Sequence, residues 1–267
     1  MNILHQADSL SIVSSLPKSS IDLIYTDPPF GTGTKQKLQR HIDGQIFEKM
    51  SYSDRFDDYM NFLVPYLRAF HEVLKDTGTL YLHLDPRWSH YAKVEADKVF
   101  GYDNFLSEII WSYNFGGRGK DRWPPKHDVI LMYVKRRGKH VFNWETMERI
   151  PYKAPEVQSI GRSPEEAAAR VARGQIPTDV WDIPILGTMS KERTGYPSQK
   201  PLSLIKRIIL ASSNENDVVL DTFGGSGTTG HAAHLTNRQF ILIDQNPQSI
   251  ETMTTRFRKH NVPFDIK

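Results

Sequence analysis

Two apolar patterns alternate along this chain. Short apolar runs without clean alternation occupy Asn2 to His5, Ile21 to Thr26, Thr79 to Leu84, Glu108 to Tyr113, Val129 to Val134, Val218 to Leu220 and Phe240 to Ile243. Such runs suit strands covered on both faces of a parallel sheet. Between them lie stretches of helical spacing. Met60, Leu63, Val64, Leu67, Phe70 and Leu74 recur within Asp57 to Lys75, and Leu202, Ile205, Ile208 and Ile209 within Pro201 to Ser212. Pro65 predicts a kink or a split into two helices in the first, and Pro201 suits the first turn of the second. The alternation predicts an α/β fold, a doubly wound, mostly parallel, seven-stranded sheet with a small irregular insertion.

Two stretches break the pattern. Thr32 to Arg55 is polar, charged and weakly periodic, too long for an ordinary connection, and reads as a functional loop, a lid or a disordered segment. Asn143 to Thr194 is proline-rich and irregular, with one small helix announced by the capping box Ser163-Pro164-Glu165-Glu166 and stopped by Gly174. The expected organisation is one domain built from residues 1–142 and 195–267, with 143–194 as an insertion.

Composition narrows the chemistry. A chain of 267 residues with 39% hydrophobic content can form a full α/β domain. The absence of cysteine excludes disulfides, thiolate metal sites and cysteine nucleophiles, and with them methylation at cytosine C5, which ordinarily needs a thiol adduct. No apolar stretch reaches membrane-spanning length and no signal-peptide pattern opens the chain, so a cytoplasmic protein without membrane contact is expected. The net charge of +3 says little, but its distribution says more. Between Ser112 and His140 eight basic residues (Arg118, Lys120, Arg122, Lys126, Lys135, Arg136, Arg137 and Lys139) face only Asp121 and Asp128, with Tyr113, Phe115, Trp123 and Tyr133 interleaved. Phosphate contact is one reading, and a solvated basic face is the other, most strongly at Lys135 to Lys139.

Two motifs carry the candidate chemistry. Thr26-Asp27-Pro28-Pro29-Phe30-Gly31 ends an apolar strand. The Asp27 carboxylate and the Pro28 carbonyl can both accept hydrogen bonds from an exocyclic amine, the prolines stiffen the turn, and Phe30 offers a stacking face. Downstream, the strand Asp217 to Asp221 runs into Thr222-Phe223-Gly224-Gly225-Ser226-Gly227-Thr228-Thr229-Gly230, followed by a helical segment, a further strand and Asp244. Strand, glycine turn, helix, strand and terminal acid is the layout of a nucleotide-type cofactor site, with Asp244 suited to ribose hydroxyls. Gly225, Gly227 and Gly230 also fit dinucleotide spacing, so an NAD-dependent oxidoreductase is the rival from another class. His231 and His234 lie three apart on a helix without a third ligand nearby, and no metal site is expected. If both motifs lie at the carboxyl ends of neighbouring strands, the cofactor presents a group to the amine, and S-adenosylmethionine fits because its methyl needs only an in-line nucleophile.

These blocks, in this order, resemble the amino-group DNA methyltransferases of the permuted β class, whose Rossmann-like fold is circularly permuted so that the catalytic turn precedes the glycine loop. Ala7-Asp8-Ser9-Leu10, Tyr81-Leu82-His83-Leu84-Asp85, Lys126-His127-Asp128-Val129-Ile130-Leu131 and Thr194 to Pro201 extend the resemblance over most of the chain. It implies that Asp27, Pro28, Pro29 and Phe30 hold a flipped base. Phe223, Gly224, Gly225, Ser226, Gly227, Thr228 and Thr229 would cradle the methionine part of S-adenosylmethionine, with Asp221 shaping their loop. Asp244 would bind the ribose, Asp8 the cofactor's adenine and Lys200 the border of its carboxylate. A helix N-cap is the alternative for Asp8, and a surface charge for Lys200. The sequence departs from the family at Thr222, where proline is usual, at Phe30, which replaces tyrosine, and at Ser249, where an aromatic often lies. The leading aspartate of the turn favours adenine N6 as acceptor over cytosine N4. Double-stranded DNA is the implied partner, and residues 143–194 are its implied reader, with 32–55 as a closing loop. So short a reader leaves a homodimer, a short recognition sequence or a partner subunit open, and a companion restriction endonuclease is compatible with the resemblance.

Overall fold

The computed structural model describes residues 2–29, 35–42, 45–53, 59–113, 116–117, 120–151 and 163–267, with backbone alone for 35–53. Its strands are β1 (Ile3–His5), β2 (Ile21–Thr26), β3 (Lys35–Ile42), β4 (Gln45–Ser53), β5 (Leu74–Leu84), β6 (Phe105–Ser112), β7 (His127–Val134), β8 (Val180–Asp182), β9 (Val218–Asp221), β10 (Gln239–Ile243) and β11 (Asp265–Ile266). The helices are α1 (Ser9–Ser15), α2 (Tyr59–Val73), α3 (Pro86–Phe100), α4 (Pro164–Arg173), α5 (Leu202–Ser212), α6 (Thr228–Leu235) and α7 (Pro247–Lys259).

Among the described residues nine strands form one sheet in the order β11-β1-β10-β9-β2-β5-β7-β6-β8. Within it β7 runs antiparallel to both neighbours, and the remaining pairs are parallel. The pleat sends successive side chains to opposite faces. Leu23 and Tyr25 of β2 and Ile130 and Met132 of β7 join α5, α6 and α7 in one core, through Ile205, Ile209, Ala233 and Phe257. Ile24, Leu80, Leu82 and Leu131 join α1, α2 and α3 in the other, through Val13, Leu67, Phe70 and Ala96. Two apolar faces per strand explain why the sequence shows runs rather than alternation, and two cores are what double winding means physically.

The nine strands include all seven expected ones. The additions, β8 and β11, stand at opposite edges of the sheet and are too short to signal in sequence. β8 comes from the 143–194 stretch and pairs with β6, and the Trp111 indole donates to the Ile183 carbonyl (2.7 Å). The capping box at Ser163 is formed, and Gly174 ends α4. Pro65 lies inside a single helix rather than between two. The stretch expected as a loop, lid or disordered segment contains β3 and β4, an antiparallel pair separate from the main sheet.

The close seating of α6 depends on Gly230. A Cβ there would stand 2.7 Å from Phe257 Cζ of α7 and 2.9 Å from Leu242 Cδ1 of β10. Gly230→Ala should therefore destabilise the chain by about 1–3 kcal/mol through overpacking, read as a lower denaturant midpoint with unchanged slope. An unshifted midpoint would show that the Phe257 ring gives way freely.

Candidate active site

β2 and β9 are neighbouring parallel strands, with Leu23 opposite Val219 and Ile24 opposite Leu220. Their carboxyl ends emerge at the same edge, where the sheet order departs in two directions, the place open α/β sheets use for ligands. The register carries Thr26 to Thr222, and their buried hydroxyls hydrogen-bond at 2.7 Å. The Ser9 hydroxyl donates to the Thr222 carbonyl (2.6 Å). Threonine in place of proline thus adds a side-chain tie between the two turns.

Asp27 follows Thr26 directly and is half-buried, Pro28 is buried and Pro29 half-buried, while Phe30 lies outside the described residues. Lys200 Nζ forms an ion pair with Asp27 Oδ2. Lys200 is only 9% exposed, and an ammonium buried to that degree requires a counter-charge. Its main-chain carbonyl accepts from the Thr228 hydroxyl (3.2 Å). One residue therefore joins the Asp27 turn to the glycine loop, and the surface-charge alternative for Lys200 does not hold.

Asp221 organises that loop from below. Its carboxylate accepts from Phe223 N (3.0 Å) and from the Thr229 hydroxyl (2.6 Å), pinning both ends of the turn. Burial pushes the Asp221 carboxyl up to about 7; its two hydrogen bonds oppose the shift, and repulsion from Asp27 and Asp244 adds to it. Asp244 accepts from Gly225 N through Oδ2 and from Asn246 N through Oδ1, both at 2.9 Å. Ser249, in the position of an expected aromatic, donates to the Gly225 carbonyl (2.7 Å). Phe223 packs against Tyr66 and Phe62, with ring centroids 5.4 and 6.1 Å away.

The glycines divide by task. Gly224 and Gly227 face Met253 of α7, where a Cβ would approach to 3.0 and 2.9 Å, and Gly230 faces Phe257. These three admit the helix behind the loop. Gly225 faces Tyr196 instead, with φ +51°, a conformation that disfavours any side chain. Gly227 caps α6 with φ +74° and without a side-chain hydrogen bond.

Several polar residues stand at the site without having been given a role there from sequence. Arg256, 4% exposed, donates from Nη1 to the Thr228 hydroxyl (2.7 Å) and the Ser226 carbonyl (3.2 Å), with Glu192 Oε1 at 3.7 Å from its Nη2. Burial lowers its pKa to about 10 against the pull of Glu192, so it stays charged at neutral pH. Beside Asp27, Tyr25 Oη meets His83 Nδ1 (2.8 Å), His83 Nε2 meets Asp128 Oδ2 (3.1 Å), and the Tyr113 hydroxyl donates to Asp128 Oδ1 (3.0 Å). Burial opposes ionisation of Asp128, yet His83, Lys200 and Tyr113 together hold its carboxyl below the ordinary value. The available signal was a histidine and an aspartate inside otherwise apolar strands.

Asp8 is exposed and caps α1, its Oδ1 accepting from Ser11 N (2.9 Å) and Ser11 Oγ (2.7 Å), bonds that lower its pKa. The helix-cap alternative is thus realised. His231 stacks on His260 (4.2 Å) and accepts from Arg256 Nε (3.4 Å). The basic stretch splits between the two sheet edges. Lys120, Arg122 and Lys126 belong to the β6–β7 connection, on the Asp27 side, whereas Arg118 and Phe115 lie outside the described residues. Lys135, Arg136, Arg137 and Lys139 follow the far end of β7. There Lys135 donates to the His71 carbonyl, Arg136 and Lys139 pair with Asp76, and Arg137 donates to the Asp103 carbonyl. Among the described residues no helix is long and apolar enough to cross a membrane.

The Asp221 shift has a measurable sign. The folded chain holds this proton more tightly than the unfolded chain, whose carboxyl titrates near 3.8. Its contribution to stability is fully present below about pH 4 and is lost as pH rises towards 7. Asp221→Asn keeps an acceptor for Phe223 N and should flatten the melting-temperature profile across that window. A profile identical to that of the unmodified chain would refute the assignment.

Comparison with known proteins agrees with this geometry. Residues 21–255 match the family model described as DNA methylase, covering the N6 and N4 enzymes. Type II methyltransferase M.HpaI of Haemophilus parainfluenzae is 34% identical over 97% of this chain and 75% of its own length. DNA adenine methyltransferase YhdJ of Escherichia coli (strain K12) is 31% identical over 93% of this chain and 80% of its own. Among solved structures, M1.HpyAVI in complex with its SAM ligand superposes with a TM-score of 0.63 at 22% identity, covering 96% of this chain and 99% of that one. The cytosine-N4-specific PvuII DNA methyltransferase gives 0.66 at 18% identity, covering 96% and 86%. The nicotinamide alternative falls with these matches, and the chain belongs to the N6/N4 DNA methylase family of S-adenosylmethionine-dependent methyltransferases.

Proposed function

We propose that this chain methylates the N6 amine of adenine in double-stranded DNA, with Asp27 and Pro28 gripping the amine and the loop 223–229 holding the cofactor. One observation carries the reading: the Asp27 turn and the glycine loop leave adjacent parallel strands, are tied through Thr26 and Thr222, and are bridged by Lys200. The leading aspartate of the turn and the E. coli adenine-specific relative support adenine, while the cytosine-N4 neighbour shares the fold.

Bound S-adenosylmethionine supplies a methyl group activated by a positively charged sulfur. The chain has groups that fit it. The first amides of α6 lack intrahelical partners and a side-chain cap, and suit a carboxylate. Phe223 supplies an apolar wall backed by Tyr66 and Phe62. Asp244, already fixed by two backbone amides, keeps lone pairs for ribose hydroxyls, and Asp8 stands at the exposed rim for the cofactor's adenine.

The adenine amine is a poor nucleophile because its lone pair is delocalised into the ring. Two acceptors, Asp27 and the Pro28 carbonyl, draw its protons and favour a pyramidal nitrogen with a localised pair. This interaction strengthens as positive charge develops, so it lowers the barrier more than it aids ground-state binding. Lys200 occupies Asp27 Oδ2 and leaves Oδ1 for the amine. After transfer, the surplus amine proton passes to Asp27 or to water. The base reaches this site by leaving the stack, at a cost of about a few kcal/mol. Residues 143–194 read the target, and either the recognised sequence is short or a homodimer or a partner subunit extends the reading surface. The Type II relatives fit a companion restriction endonuclease, and a cytoplasmic location goes with action on DNA.

Asp27→Ala should lower methyl transfer about 1000-fold while S-adenosylmethionine binding by calorimetry stays within about twofold; cofactor binding lost with transfer retained would reverse the roles. Expression in a methylation-free host, followed by modification-sensitive sequencing, should reveal N6-methyladenine at one motif, and N4-methylcytosine would move the acceptor. The split basic stretch yields a salt test. Replacing Lys120 and Arg122 by Gln should flatten the slope of log affinity against log salt by about 2, and replacing Arg136 and Lys139 should leave it unchanged. Equal effects of the two pairs would contradict the edge assignment.

A further inference from the structure

Trp123 is 95% exposed, the most exposed large apolar side chain among the described residues. It lies in the β6–β7 connection, which the topology ties to the active edge. β6 and β5 both run antiparallel to β7, and β5 is parallel to β2, so β6 ends on the side where Asp27 emerges. Three inter-strand steps separate β2 from β6, about 14 Å, close to the width of one DNA groove at about 12 Å.

The mounting of the indole is stiff. Pro124 and Pro125 follow it, and a residue before proline is confined to extended conformations. The base of the connection is closed by Tyr113 N donating to the Lys126 carbonyl (2.9 Å). Tyr113 is in turn fixed through Asp128 and His83 to Tyr25, two residues before Asp27. Exposed Lys120 and Arg122 immediately precede the indole and match a phosphate backbone.

We propose that Trp123 is a wedge that enters the base stack where the target base leaves it. This rests on the DNA-methylation reading of the site and adds a positioning residue outside the cofactor and amine contacts. The indole face replaces the stacking lost by the bases flanking the gap, which favours the extrahelical state. The proline mounting spares the ordering cost of a free loop residue, and Lys120 and Arg122 hold the phosphate backbone against the wedge.

The test compares two duplexes carrying the motif that the unmodified protein methylates. One is fully paired, and the other has an abasic site opposite the target, so that the target base is already loosened. Trp123→Ala should reduce kcat/KM about 30-fold on the paired duplex and stay within about threefold of the unmodified protein on the loosened one. Trp123→Phe should recover most of the difference, and S-adenosylmethionine affinity should be unchanged in both variants. Full activity of Trp123→Ala on paired DNA, or equal loss on both duplexes, would overturn the wedge while leaving the methylation reading intact. An unmodified protein that methylates no DNA would overturn the methylation reading itself.

Discussion

Adjacency of two parallel strand ends is the constraint on which the site rests. β2 delivers Asp27 and β9 delivers the loop from Phe223 onward, and both turns are level only in the observed register. The Thr26–Thr222 hydrogen bond senses that register, because each buried hydroxyl would lose its partner if the strands slipped. A slip of one residue would also reverse every side chain between the two cores. The apolar pattern on both faces and the polar tie at the end therefore specify the same alignment by independent means.

Charge beneath the site is arranged as carefully as the turns. Lys200 and Arg256 are both nearly inaccessible, and each is matched to an acid, Asp27 and Glu192, while Arg256 also donates to loop oxygens. Burying ions costs more than their mutual attraction commonly returns, so such pairs contribute little net stability. Their value here is positional. Lys200 fixes where Asp27 points, Arg256 fixes Thr228 and Ser226, and Glu192 holds the Lys200 segment through Leu202 N (2.7 Å).

Much of this was legible in the chain because it is local. The turn at Asp27, the glycine loop, Asp244 and the strands around them each occupy a few consecutive residues, and their periodicity or chemistry identifies them directly. What escaped depends on distant residues. The Lys200–Asp27 pair spans 173 positions, and no spacing rule reaches that far. The tasks of Gly224 and Gly227 became visible only against Met253, which a turn-based reading cannot see. β8 and β11 fall below the length at which a strand has a pattern, and the basic stretch appeared continuous because sequence does not show that β7 carries its two halves to opposite edges.

The long span between the two halves of the site also governs how the molecule is made. Asp27 leaves the ribosome 173 positions before its buried ammonium, Lys200, and the neighbouring strand β9 follows later still. Until then β2 has a vacant edge beside its Thr26 hydroxyl, flanked by apolar side chains that later enter both cores. Contacts of such high sequence separation form slowly, and an unpaired strand edge invites association with other chains. The arrangement delays the emergence of a working catalyst until β9 and its loop have been made, and it makes the interval before β9 docks sensitive to aggregation.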